Sequence, residues 1–105
     1  MIDLQLEPNI FGPGRSIHIV AGPGVYFAEF YVAWTATGIS GQATVDLELI
    51  SGPVATPQLL ADNRGPTDHY LFGTRVPGSY IFRATVTDAR GNTCFDTLQV
   101  DVPAI

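Results

Sequence analysis

Lysine is absent from this chain of 105 residues, and cysteine occurs only once. The five basic residues are all arginines scattered along the sequence, whereas ten acidic residues give a formal net charge of −5. Nucleic acid binding needs clustered cations to neutralise phosphates, so this charge pattern disfavours it. A single cysteine also excludes an intrachain disulfide framework and a cysteine-rich zinc site.

Long apolar runs are missing as well. No stretch approaches the length of a membrane span, so we expect no membrane insertion. Residues 1–5 contain neither a basic segment nor a long apolar segment, so we expect no signal peptide within this sequence. The length predicts a single domain over residues 1–105, and a hydrophobic content of 46% can supply its core.

Short runs in which apolar and polar residues alternate dominate the sequence. Near the end, for example, Leu98, Val100 and Val102 alternate with polar residues. This period of two, in segments rich in β-branched and aromatic residues, is typical of half-buried strands. Eleven glycines and eight prolines supply the turn signals between the runs. The predicted strands cover roughly residues 2–7, 15–20, 25–36, 43–50, 58–61, 69–74, 79–88 and 92–102.

We count these segments as about seven strands, because the first two are expected to share one sheet edge. No window of helical length carries an apolar stripe of helical period that is free of glycine and proline. Short strands at this spacing predict an all-β antiparallel sandwich. The absence of lysine leaves the sheet edges without their usual guards, so edge-to-edge association is less opposed than in most small β proteins.

The last predicted hairpin can be placed in register. Residues 88–92 predict a three-residue loop in which Gly91 takes the left-handed conformation. Pairing of Asp88 with Asn92 then places all apolar residues of both strands on one face. The resulting pairs are Val86 with Cys94, Ala84 with Asp96, Phe82 with Leu98 and Tyr80 with Val100. This register predicts a carboxylate, Asp96, on the inner row.

Residues 46–102 carry a motif in which strand pattern, turn and tyrosine stand at fixed offsets. Its pieces are residues 49–53, the run from Val76 to Asp88, Gly91, and residues 96–102. This half of the chain resembles the PKD-like (polycystic kidney disease-like) domain, an immunoglobulin-type β-sandwich. The resemblance implies an immunoglobulin-like fold and an adhesive, spacer or scaffold role. It also implies an extracellular or cell-surface location.

Three residues around the hairpin are interpreted as structural. Tyr80 follows the turn at Gly78, and we expect its hydroxyl to bind a loop backbone group; a ligand role is the alternative. We expect Asp88 to cap the turn and Asp96 to accept hydrogen bonds from nearby amides or threonine hydroxyls. A calcium site completed by Asp62 or Asp68 is disfavoured, because no Asp-x-Asp spacing supplies the six to eight oxygens that calcium takes.

Catalytic and metal-binding constellations are not found in the sequence. His18 and His69 have no second His, Cys or acid at ligand spacing, so no metal site is predicted. The serines lack the strand–turn–helix context of a nucleophile, and Cys94 is expected to be a small core residue. No glycine-rich turn matches a phosphate-binding loop. We therefore predict no enzymatic activity and no cofactor.

Residues 25–34 form a strand pattern that is apolar on both faces. One face, which ends at Trp34, is expected to belong to the core. The other face is too apolar for a purely solvated surface, and two isoleucines also lie on nominally outer rows. The hypothetical interface residues are therefore Val25, Phe27, Tyr31, Ile50 and Ile81. If they lie close together, they form an apolar patch that marks a partner surface; alternatively, loops cover them or they are scattered singly.

The N-terminal strand pattern offers a second route to association. Residues 2–7 are expected to dock on their own domain, and addition to the sheet of a neighbour is the alternative. Taken together, the sequence predicts a non-catalytic structural or adhesive module that binds protein or copies of itself. Two alternatives remain open, a carbohydrate-binding module that uses exposed aromatics and a repeated subunit of a virion or cell-surface appendage.

Overall fold

A computed structural model of the protein describes residues 1–8, 10–38 and 42–104. These residues form two antiparallel β-sheets whose apolar sides face each other. The strands are β1 (Ile2–Leu6), β2 (Ile17–Gly22), β3 (Val25–Ala36), β4 (Thr44–Ser51), β5 (Gln58–Arg64), β6 (Thr67–Thr74), β7 (Gly78–Thr87) and β8 (Thr93–Val102). The predicted all-β sandwich is therefore confirmed. No described residue belongs to a helix long and apolar enough to cross a membrane.

Strand β3 is the centre of the first sheet. β6 pairs along one side of β3, and β1 and β2 follow each other along the other side. β1 pairs with residues 32–36 and β2 with residues 25–30, so the two strands share one edge as predicted. The expectation that the N-terminal strand docks on its own domain is confirmed by the same pairing.

The second sheet has the strand order β5-β4-β7-β8. Its last hairpin has the predicted register, with Val86 opposite Cys94, Ala84 opposite Asp96 and continuing to Tyr80 opposite Val100. Gly91 has a φ angle of 82°, in the left-handed region. The alternation of apolar and polar residues was sufficient to predict this register, because a one-residue slip would expose the whole apolar row.

Three strands have a boundary that differs from the predicted one by two residues or more, and one of them, β6, begins at Thr67 rather than at residue 69. β2 ends at Gly22 rather than at residue 20, because Pro23 and Gly24 alone form the turn into β3. β5 continues to Arg64 rather than ending at residue 61, since a β-bulge accommodates Asn63 in a left-handed conformation, with a φ angle of 53°. Polar residues within a bulged strand give no alternation from which its length could be predicted.

Aromatic side chains from both sheets meet in the core. Phe30 and Phe72 of the first sheet contact Phe82 of the second at ring-centroid distances of 5.7 and 5.1 Å, both edge to face. Trp34 is almost fully buried, and its Nε1–H donates to the Gly65 carbonyl at 2.9 Å. The predicted role of Trp34 as the buried aromatic of β3 is confirmed, and its one polar atom is satisfied.

Candidate functional site: the outer face of the first sheet

The outer face of the first sheet is unusually apolar for a surface that points away from the core. On β3, side chains alternate between the buried row, which ends at Trp34, and the outward row that contains Val25, Phe27 and Tyr31. Val25 is 51% exposed, and Phe27 and Tyr31 are half-buried. An outward row on a central strand has neighbours on both sides, so the adjacent strands decide whether it forms a patch.

Both neighbouring strands extend this apolar row. Residues directly opposite in an antiparallel pair point to the same face. Val20 of β2 lies opposite Phe27, and Leu71 of β6 lies opposite Tyr31. Val20 and Leu71 are 47% and 42% exposed. We call this surface the first-sheet patch, and its members are Val20, Val25, Phe27, Tyr31 and Leu71.

Gly73 of β6 leaves space for the Phe27 side chain on the outer face of the sheet. A Cβ atom at this position would lie 2.7 Å from Cζ of Phe27, so the phenyl ring rests on the bare backbone of β6. Phe27 therefore reaches from β3 across to β6, towards Leu71 two residues earlier on that strand. Apolar side chains therefore extend across all three strands, from Val20 through Phe27 to the backbone of β6 next to Leu71.

The loop between β1 and β2 covers one end of the patch. Phe11 of this loop stacks on Tyr31 with 5.9 Å between ring centroids and on His18 with 5.3 Å. On the other side of Tyr31, the ring of His69 lies 4.8 Å away. Tyr31 is thus partly covered by the loop, whereas Val20, Val25 and Leu71 stay exposed.

One histidine–glutamate pair lies within the patch, since Glu29 is on the outward row between Phe27 and Tyr31, and a second pair borders it. His18 Nδ1 lies 3.0 Å from Oε1 of Glu29, and His69 Nδ1 lies 3.2 Å from Oε1 of Glu7. Both acids come from strands or loops distant in sequence, which is why neither pair was visible as a spacing motif. Each carboxylate has a hydrogen-bonding partner, so the patch carries no unpaired acid between its apolar members.

The five hypothetical interface residues do not form a single surface. Ile50 and Ile81 lie on β4 and β7 of the second sheet and are half-buried there. The condition that all five residues lie close together is therefore not met, and only Val25, Phe27 and Tyr31 share a face. Both groups point away from the core, but they lie on opposite faces of the sandwich.

The second sheet has exposed apolar residues of its own, which the sequence analysis did not single out. Phe95 is 64% exposed and Leu59 is 61% exposed. Between their strands, the Arg83 guanidinium donates to Oε1 of Glu48 at 3.2 Å and lies 5.9 Å from the Phe95 ring centroid. This ion pair separates the two apolar residues, so the outer face of the second sheet is mixed rather than continuously apolar.

Comparisons with known proteins give no guide to the role of these surfaces. No family model, curated protein or solved structure matches the chain. The geometry of the faces and edges is therefore the basis for assigning a function, because a fold by itself does not determine one.

The predicted corner tyrosine is confirmed. Tyr80 is fully buried, and its hydroxyl donates to the Val76 carbonyl at 2.5 Å and bonds to Oγ1 of Thr74 at 2.7 Å. Gly78, two residues earlier, has a φ angle of 145°, and a Cβ there would lie 2.9 Å from Cγ of Pro53. Gly78 is thus required by both conformation and space at the start of β7.

Asp88 caps the last hairpin as predicted. Its Oδ1 accepts the backbone N–H groups of Arg90 at 2.9 Å and Asn92 at 3.0 Å. Desolvation acts to raise the pKa of this carboxyl, but the hydrogen bonds from Arg90 and Asn92 together outweigh it and lower the pKa. The carboxylate is therefore held in its charged form at the turn.

Asp96 lies on the inner row opposite Ala84, as the register predicted. Its Oδ2 accepts the backbone N–H of Leu4 at 2.9 Å, which connects β8 to the edge of β1. Cys94 also lies on this row but is only half-buried; it packs against the core and, together with Met1, lines an open pocket of about 160 Å³. Among the described residues, no group of three or more His, Cys, Asp or Glu side chains could hold a metal ion.

Proposed function

We propose that the protein is a non-catalytic structural module that associates with copies of itself through the first-sheet patch. The observation that carries this proposal is the extension of the patch across three strands, from Val20 through Phe27 to Leu71. A large contiguous apolar surface on a soluble domain marks an interaction site, whereas single exposed apolar residues do not.

The charge around the patch favours a second copy as the partner. A chain with a net charge of −5 repels its own copies at long range. At the patch, however, Glu29 and Glu7 are each bonded to a histidine, and no other acid lies among its members. Two patches can therefore meet without opposing unpaired carboxylates, and salt screens the remaining repulsion.

The position of the chain ends fits a module that is arranged end to end. Met1 bonds to Thr37, beyond the end of β3, whereas the Pro103 carbonyl accepts from the Tyr26 hydroxyl near the start of β3. The two ends therefore lie at opposite ends of a domain whose longest dimension is 52 Å. This arrangement suits the spacer or scaffold role that the PKD-like resemblance implies.

The corner formed by Tyr80 and Val76 adds support for the immunoglobulin-type part of this proposal. A tyrosine at the start of a strand that bonds a carbonyl a few residues upstream is a feature of immunoglobulin-like sandwiches. PKD-like membership and an extracellular or cell-surface location belong to the same proposal. The repeated subunit of a virion or appendage remains the related alternative.

Carbohydrate binding is less well supported. It requires a row of aromatic rings whose faces are open to a sugar. On the first sheet, Phe11, His18 and Tyr31 stack on one another instead, so their faces are partly occupied by neighbouring rings. Phe95 of the second sheet stands alone with Arg83 beside it. Retention on polysaccharide would favour this alternative.

The proposal is tested by measuring mass against concentration with analytical ultracentrifugation or native mass spectrometry. We expect the unmodified protein to self-associate, and the double variant Val25→Ser with Leu71→Ser to weaken that association. The matched control is Leu59→Ser with Phe95→Ser, which removes more exposed apolar residues from the second sheet. Equal weakening by both variants, or a monomer at high concentration for the unmodified protein, would contradict the proposal.

A further inference from the structure

The outer edge of β2 presents backbone groups that point away from its own sheet. The Glu7 amide donates to the Tyr31 carbonyl, so Tyr31 directs its backbone groups towards the edge occupied by β1 and β2. Backbone direction alternates along an antiparallel ladder, so Glu29, Phe27 and Val25 do the same. On β2, their partners His18, Val20 and Gly22 therefore point inward to β3.

The backbone groups of the alternate residues of β2 point the other way, away from β3. Ile17, Ile19 and Ala21 must direct their N–H and C=O groups to the outer edge of β2. In the described part of the chain, β3 is the only strand that pairs with β2. An edge of this kind is a template for another extended strand.

Three of the other edges carry specific protective features, and the fourth, β8, carries two aspartates. On β1, the outward amide of Leu4 is bonded to Asp96 at 2.9 Å, and β1 lies against β8. On β6, the outward amide of His69 is bonded to Oδ1 of Asp68 at 2.8 Å. On β5, a bulge with Asn63 in a left-handed conformation interrupts the ladder. On these edges, carboxylates and a bulge thus hinder pairing with another strand, a role that lysine has in other proteins.

β2 carries none of these protections. Residues 17–22 contain no Asp, Glu, Lys, Arg or Pro, and the ladder with β3 is regular over the whole strand. The edge therefore differs from β1, β6 and β8 in having no acidic residue, and from β5 in having a regular ladder. In place of water, an extended strand can bond to the whole row of outward N–H and C=O groups at this spacing.

We propose that β2 pairs antiparallel with β2 of a second copy of this chain, with Ile19 on the twofold axis. Ile19 then faces Ile19 of the other copy, and Ile17 faces Ala21. This pairing supplies on the order of six backbone hydrogen bonds and joins the two first sheets into one continuous sheet. It uses backbone groups rather than the first-sheet patch, so it holds whether or not the proposed function does.

A second copy suits this edge because β2 is complementary to itself. In the antiparallel arrangement His18 faces Val20 of the other copy, so no like charges are opposed. The strand is already ordered against β3, which lowers the entropy cost of pairing. An isologous contact of this kind closes as a dimer rather than growing into a filament.

Hydrogen exchange of individual amides tests the pairing on the unmodified protein. Between about 10 μM and about 1 mM, a concentration range that reveals weak association, the amides of Ile17, Ile19 and Ala21 should become protected. We expect their exchange to slow by about tenfold or more. The amide of Thr67, which points outward on β6 and lies outside the first-sheet patch, should not change. A dimer that leaves the three β2 amides unprotected, or a monomer throughout the range, would overturn the inference.

Two proline variants test it independently. In Ala21→Pro the ring replaces an outward N–H that β3 does not use, so the domain should fold but the dimer should be lost. Thr67→Pro makes the matched change on β6, where the N–H of the exposed Thr67 also points away from β3, and should leave the dimer intact. Ala21→Lys, which places a charge at an exposed position of the β2 edge, should also abolish pairing if the proline variant misfolds. Loss of the dimer in Thr67→Pro alone would overturn the inference.

The same measurements separate this inference from the proposed function. The double variant Val25→Ser with Leu71→Ser should leave the amides of Ile17, Ile19 and Ala21 protected at high concentration, since it alters side chains of the face only. If face variants weaken association while the β2 amides exchange freely at every concentration, the proposed function stands and the edge pairing is wrong. If only Ala21→Pro has an effect, the reverse holds.

Discussion

The Leu4 amide donates to the Asp96 carboxylate at 2.9 Å and so connects the first strand of one sheet to the last strand of the other. The two residues are separated by 92 positions in the sequence. This contact satisfies an edge amide and also gives the inward-facing acid a partner. The two sheets are therefore joined at this side by a charge-assisted hydrogen bond.

Removing the acid should destabilise the domain. Asp96→Ala leaves the Leu4 amide without its acceptor, so we expect a loss of about 1–3 kcal/mol in the free energy of unfolding, measured with urea. Asp96→Asn keeps an acceptor oxygen and should lose less. The control is Asp101→Ala, an exposed position on β8, which should change stability by less than about 0.5 kcal/mol. Equal losses in both alanine variants would contradict this reading.

Tyr80→Phe should also destabilise the domain. The variant keeps the buried ring but removes the hydroxyl that bonds to the Val76 carbonyl and to Thr74. Because Thr74 is buried, we expect a loss of about 1–3 kcal/mol in a denaturant titration. Tyr26→Phe is the control, since its bond to Pro103 is exposed and water can replace it. A larger loss at Tyr26 would show that the corner is not a major source of stability.

Gly52 leaves the space that the Tyr80 ring occupies. A Cβ at residue 52 would lie 2.9 Å from Cδ1 of Tyr80, a ring fixed by burial and by its hydroxyl bonds. We expect Gly52→Ala to cost about 1–3 kcal/mol through overpacking, measured by thermal or chemical unfolding. Gly65→Ala meets no atom within 4 Å and should be close to neutral. A neutral Gly52→Ala would mean that the ring can move.

The sequence predicted the second half of the fold better than the surface. The β7–β8 register followed from the alternation of Phe82 and Leu98 with polar residues, because only one register buries both strands. Alternation distinguishes inward from outward positions, but it does not identify the sheet to which an outward residue belongs. Ile81 and Phe27 were therefore grouped although they lie on opposite faces.

Two members of the first-sheet patch were missed: Val20 pairs with Phe27 within the β2–β3 hairpin, whereas Leu71 depends on long-range pairing. Leu71 lies beside Tyr31 only because β6 pairs with β3, and no local pattern indicates that neighbour. The stacking of Phe11 on Tyr31 and the contact between Glu7 and His69 also join distant parts of the chain. Such contacts depend on which strands pair with each other. The period-two alternation in a single sequence does not specify that pairing.

The cap at Asp88 should make stability depend on pH. Against opposing desolvation, hydrogen bonds from Arg90 and Asn92 lower the pKa of this carboxyl below its ordinary value of 3.8. A lowered pKa gives stability that is fully present above the unfolded-state value and is lost as the pH falls through the folded-state value. Asp88→Ala should therefore lower the Tm at pH 7, and the difference from the unmodified protein should shrink in strong acid. A difference that is constant with pH would contradict this reading.

Asp62 should show the opposite dependence. A hydrogen bond with the Asp46 carboxyl, together with desolvation and the charge of Asp46, raises the pKa of Asp62 above its ordinary value of 3.8. A raised pKa favours folding at low pH, and this contribution is lost as the pH rises through the folded-state value. At pH 7 both carboxylates are charged and repel each other, so Asp62→Asn should raise the Tm there and have little effect at about pH 3. Asp46→Asn should give a similar gain, and the double variant should gain little more than either single one, because the two changes relieve the same repulsion. Fully additive gains, or a gain that persists undiminished in acid, would show that the two carboxyls are not coupled.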